Sequence, residues 1–213
     1  MQHPTHHVAA ASREGFVEQE FHAGRNFGGG PAMTATVTPS DIIAFWSEAG
    51  PELWFAKDDA FDRRFRDMFL QAHESAARGD LDHWQRTPGG ALALILLLDQ
   101  FPRNVFRNTP RMYATDAAAL RLAEAALAAG HDQHFDADLR LFFYLPFAHS
   151  EVLAHQERSV ALCGPLGGES QAHAEGHRDI IKRFGRFPHR NQILGRATSD
   201  AEQRFLDEGG FGG

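Results

Sequence analysis

From Thr38 onward apolar residues recur every three or four positions, and no stretch alternates apolar and polar as a half-buried strand would. Thr38-Pro39-Ser40-Asp41 supplies an N-cap, a proline at the first helical position and an acid in the first turn. The helix it opens carries Ile42, Phe45 and Trp46 on one side. Asp58 to Ala77 is long and amphipathic through Phe61, Phe65, Met68, Phe69 and Ala72, and Gly79 is placed to end it. Thr87-Pro88 opens a helix that is apolar all round from Ala91 to Leu98. A helix without a polar face is enclosed by others, which puts this one at the centre. Thr115-Asp116 begins an Ala- and Leu-rich helix stopped by Gly130. Asp136–Leu145 and Phe147–Leu162 are predicted as a pair divided at Pro146, whose missing N–H interrupts the helical ladder. Ser170–Phe184 ends at Gly185, and Ser199-Asp200-Ala201-Glu202 is a capping box for a last short helix ending near Leu206. The pattern predicts an all-α fold of about eight helices in antiparallel pairs, forming a single domain over residues 37–213. Residues 1–36 read differently. His3, His6, His7, the Gly28-Gly29-Gly30-Pro31 break and the lack of apolar periodicity predict a disordered N-terminal extension, with Met33 as an alternative start.

Composition agrees with helices: Phe is abundant at 18 residues, Ala and Leu are plentiful, and Val and Ile are sparse. The single cysteine, Cys163, excludes an internal disulfide and fits a reducing compartment. No apolar run approaches the ~20 residues of a membrane span, and no signal-peptide core is visible, so a cytoplasmic protein is expected. The net charge of −7 argues against nucleic-acid binding but is unevenly spread. Between His177 and Arg196 six Lys and Arg face one acid, making that segment +5 and leaving −12 elsewhere. A basic patch on an acidic protein suits a small anion or acidic partner, or arginines paired with acids elsewhere on the domain.

Two segments say nearly the same thing. Phe101-Pro102-Arg103-Asn104 follows the apolar helix, and Phe187-Pro188-His189-Arg190-Asn191 follows Ile180 to Arg186. Each reads as an aromatic residue, a proline ending a helix, then arginine and asparagine held at the break, a combination suited to a shaped polar pocket. Asp99 stands at the C-terminal end of the buried helix, where the helix dipole disfavours a carboxylate, and it needs a cation such as Arg103. His149 and Gln156 interrupt the stripe Phe142, Leu145, His149, Val152, Gln156, and polar groups on such a face must be hydrogen-bonded when buried. His149 and Glu151 cannot form a relay with each other on one helix, because they would point ~200° apart. His173 and His177 are spaced i, i+4, but no third ligand is fixed by spacing, so no metal site is assigned. Cys163, near a helix C-terminus, is expected to be inert. No cofactor motif is present.

Four longer motifs resemble a known family: Leu92 to Asn104, Tyr144-Leu145-Pro146-Phe147 with His149-Ser150-Glu151, His177 to Asn191, and Leu194-Gly195-Arg196. Together they are similar to the bacterial domain of unknown function 924 family over about Pro39 to Phe211. The resemblance implies a helical fold like that of tetratricopeptide-repeat proteins, with stacked helix pairs around a concave side, and implies no activity. No 34-residue period is visible in the chain itself.

Three roles follow as expectations. In the first, Asp99, Arg103, Asn104, His149, Glu151, Gln156, His177, Arg186, His189, Arg190 and Asn191 surround a pocket for a small anionic ligand or acidic peptide terminus. In the second the motifs lock helix ends of an interaction scaffold without a pocket. In the third Asp99 or Glu151 acts as a base and His149, His177 or His189 as an acid in the same cavity. No catalytic residue, cofactor or oligomeric state is assigned.

Overall fold

The start signals at Thr38, Asp58, Thr87, Asp136 and Ser199 each cap a helix, whereas the helix expected from Ser170 begins at Gly168 and the one expected from Phe147 begins at Leu153. The computed structural model describes residues 36–212, so the expected extension lies outside the described residues up to position 35. The α-helical segments are α1 (Pro39–Ala49), α2 (Pro51–Trp54), α3 (Asp59–Arg78), α4 (Pro88–Ile95), α5 (Phe101–Val105), α6 (Asp116–Ala128), α7 (Ala137–Ala148), α8 (Leu153–Cys163), α9 (Gly168–Phe184) and α10 (Asp200–Asp207). No strand occurs among the described residues, and the chain is all-α. Thr38 with Asp41, and Ser199 with Glu202, close reciprocal capping boxes at α1 and α10. Asp58 accepts the N–H groups of Ala60 and Phe61 at the start of α3. Gly79 and Gly185 end α3 and α9 in the left-handed conformation.

The central helix is α4 with the turn that follows: every residue from Ala91 to Leu98 is at most 5% exposed. Helices α1, α6 and α7 pack on α4, and α3 packs on the turn after it. Aromatic rings fill the space between them. Phe45 stacks on Phe61 and Phe65, while Trp46 meets Phe142 edge-on at 5.3 Å. Removing one such ring, as in Phe65→Ala, would cost roughly 3–5 kcal/mol. Ile180, Ile181 and Phe187 form a second, smaller cluster under the C-terminal elements.

Pro102 does not end a helix. The chain passes from α4 through a π-helical turn, Leu96–Gln100, directly into α5, where Pro102 occupies the first turn. The N–H of Phe101 reaches back five residues to the Leu96 carbonyl, which frees the Leu97 carbonyl. Pro102 offers no N–H, which frees the Leu98 carbonyl. Both find side chains: His73 Nδ1 donates to Leu97 at 2.8 Å and Thr115 Oγ1 donates to Leu98 at 2.5 Å. The extra residue in the turn makes room for the proline ring, and the helix continues.

Pro146 likewise lies inside α7, and the break falls later, at His149–Val152. Gln156 fixes it: its Nε2 lies 2.7 Å from the Ala148 carbonyl and 2.6 Å from that of Ser150, capping the end of α7 from the side. The expected stripe from Phe142 to Gln156 therefore does not exist as one helical face, and Val152 is 52% exposed.

Candidate functional site

The π turn decides where Asp99 points. Its side chain is fully buried and sits between three partners: His149 Nδ1 at 2.8 Å, Gln100 Nε2 at 2.7 Å and an Arg103 amino group at 3.3 Å. Burial alone would raise the pKa of this carboxyl, but Arg103 and His149 outweigh it and hold it below the usual carboxylate range. Arg103 also forks onto Asp116 at 2.9 and 3.1 Å, so one guanidinium joins the π turn to the start of α6.

His149 caps α7. Burial, then the neighbouring Arg103, lower its pKa against the pull of Asp99. The ring is thus neutral at pH 7, and because a carboxylate can only accept, the proton is on Nδ1. Nε2 has no partner among the described residues, and the ring lines a cavity of about 620 Å³.

Arg103, Asn104, His149, His177, His189 and Arg190 all line this one cavity. The two Phe-Pro segments, far apart in sequence, thus face the same hollow. Asp99 stands behind His149 rather than on the wall. Asn104 is also tied outward, donating to Asp62 at 2.9 Å, a carboxylate it shares with Arg107. Arg190 comes from the short turn Pro188–Arg190 and is only 7% exposed. Its guanidinium is sandwiched between the Tyr113 and Phe187 rings, each centroid 4.6 Å away. Among the described residues its one carboxylate contact is Asp116 at 3.5 Å, and its Nε has no partner. The Nδ1 atoms of His177 and His189 and the hydroxyl of Ser159 are likewise buried without partners. Burial pushes the His177 pKa down to about 3 and that of His189 to about 4, with neighbouring histidines and Arg190 adding to the effect.

Four expected site residues lie elsewhere, each for a stated reason. Glu151 accepts the Phe187 N–H at 2.8 Å and both amino groups of Arg196, clamping the second Phe-Pro segment from behind. Asn191 accepts from Arg196 Nε in the same clamp. Arg186 forks onto Glu202 of α10 and also donates to the Ala197 carbonyl. Gln156 is spent on the end of α7. Lys182, Arg186 and Arg196 are thus neutralised by acids from other elements and Arg178 by its neighbour Asp179, while Arg190 lines the hollow.

The structure adds Tyr113 and Ser159 to the lining, with an apolar wall that includes Trp54, Phe55 and Leu145, and places Asp116 behind it as the acid shared by Arg103 and Arg190. Asp116 was visible only as a first-turn acid, and Ser159 gave no signal at all. Cys163 is buried and its thiol pKa is pushed up by burial. Among the described residues, no group of three or more His, Cys, Asp and Glu is placed to hold a metal ion, and no helix is long and apolar enough to cross a membrane.

Comparison with known proteins agrees with the motifs. A solved structure of a protein of unknown function from Agrobacterium tumefaciens is 55% identical, covers 80% of this chain and 97% of its own, and superposes with a TM-score of 0.79. No curated protein matches. The family model for a bacterial protein of unknown function, DUF924, matches residues 42–210, and the chain belongs to that family.

Proposed function

We propose that the cavity binds a small anion, a carboxylate- or phosphate-bearing molecule or an acidic peptide terminus, with Arg190 as its principal donor. The observation that carries this role is the state of that side chain: a guanidinium 7% exposed, with an unspent Nε–H and one carboxylate at 3.5 Å that Arg103 already occupies. A buried charge is costly unless its donors are used, and an arginine fork matches carboxylate and phosphate oxygens. Neutral His177 and His189 add donors that turn toward an anion without adding fixed charge. Thermal melts with inorganic phosphate or acetate test it. Either anion should raise the melting temperature of the native chain, and Arg190→Gln should fold and lose the response. An Arg190→Gln protein that keeps the response, or a native chain that shows none, removes this role.

A second role, general base catalysis, is favoured by the Asp99–His149 pair, which leaves a neutral imidazole with a free Nε2 on the cavity wall. The buried Cys163 and Ser159 are poorly placed as nucleophiles, so the proton would come from water or from the ligand itself. Turnover of any ester or amide substrate should fall ~10²-fold or more in His149→Gln; unchanged turnover removes this role.

A further inference from the structure

The histidines and Arg190 cluster in one part of the cavity; Arg107, which lines it beside Phe55, is spent on Asp62 and the Ala56 carbonyl. On α7, Leu141, Leu145, Ala148 and His149 share the face that lines it, and at 1.5 Å per residue Leu141 stands about 12 Å from His149. Trp54 and Phe55 also line the hollow, and both rings pack on Phe142, next to Leu141, at 5.0 and 6.1 Å. An apolar wall therefore runs away from the histidine and Arg190 cluster. It ends at Phe55, which is 62% exposed although it lines a cavity. The one acid lining the hollow among the described residues, Glu169, lies on α9 two turns before His177. It repels an anionic group from its own end and leaves the Arg190 end as the place for negative charge.

Resting on the anion-binding role, we infer that the ligand is an amphipathic monoanion: a carboxylate seated at Arg190, His177 and His189, with a hydrocarbon body lying along Leu145 and Leu141 toward Trp54 and Phe55. A bare phosphate or short acid would fill the polar end and leave the apolar wall against water. A hydrocarbon body covers it, and each methylene buried tightens binding about fourfold.

Calorimetric titration of the full chain with octanoate, acetate, inorganic phosphate and 1-octanol tests this. Octanoate should bind about a hundredfold or more tighter than acetate. Arg190→Gln should weaken octanoate at least tenfold and leave 1-octanol unchanged. The exposed Phe55 can be truncated without unsettling the core, so Phe55→Ala should weaken octanoate several-fold and leave phosphate unchanged. If phosphate or acetate binds through Arg190 and octanoate is no tighter than acetate, the amphipathic ligand is wrong and the anion-binding role stands. If octanoate binds equally to Arg190→Gln, its head is not at this site and the inference is overturned. If no anion binds, both fall.

Discussion

The carboxylate of Asp99 and the imidazole of His149 meet at 2.8 Å across 50 positions of sequence. Neither is delivered by a regular helix. Asp99 is turned inward by the π turn before Pro102, and His149 sits on the capped end of α7, where Gln156 holds the terminal carbonyls. Two local irregularities thus build one buried pair, and the same pair fixes which nitrogen of His149 is left for the cavity.

Replacing Asp99 by Asn keeps the shape and removes the charge. Arg103 and His149 lose their common acceptor, and breaking a buried pair from one side costs about 3 kcal/mol or more. Urea unfolding should show that loss. The folded carboxyl has the lower pKa, so the unfolded chain binds more protons there, and the contribution is complete above about pH 4 and fades as pH falls. The gap between native and Asp99→Asn proteins should therefore narrow in acid; a gap independent of pH would contradict the assignment.

His177 and His189 give a second pH window. Their folded pKa values, about 3 and about 4, lie below the ~6.5 of an unfolded histidine. Between those limits the unfolded chain holds more protons, so stability is full above about pH 6.5 and falls as pH drops toward 4. The double variant His177→Asn, His189→Asn should lose less stability from pH 7 to pH 5 than the native chain does. Equal slopes would mean that these rings are not held neutral by burial.

Thr115 tests the accommodation of Pro102. In Thr115→Val the Leu98 carbonyl, already without a backbone donor, loses its hydroxyl partner as well. The expected cost is about 1–2 kcal/mol, measured by denaturant unfolding with an unchanged slope. A neutral substitution would show that the freed carbonyl is satisfied in some other way.

Helix beginnings were legible because capping is local. Thr38, Asp58, Thr87 and Ser199 each act on N–H groups within the next three positions, and the apolar run at Ala91–Leu98 announces its own burial. Helix endings at proline were not legible. A proline reports a missing donor but not whether the chain has a way to absorb the loss. At Pro102 that answer comes from His73 and Thr115, which lie in other helices or connections. The meeting of the two Phe-Pro segments could be suspected from their shared residues, whereas the division of labour within the second could not. Arg186, Arg190 and Arg196 look alike in sequence; only the placement of Glu202, Asp116 and Glu151 decides which two are neutralised and which faces the cavity.

The unspent Nε–H of Arg190 is directly observable by nitrogen-15 NMR of the arginine side chains, assigned with Arg190→Lys. Titration with inorganic phosphate should shift that resonance, slow its exchange with water and saturate, while the Arg196 signal, held in its clamp, stays in place. An Arg190 signal indifferent to phosphate and acetate, in a protein that remains folded, would contradict anion binding in this cavity.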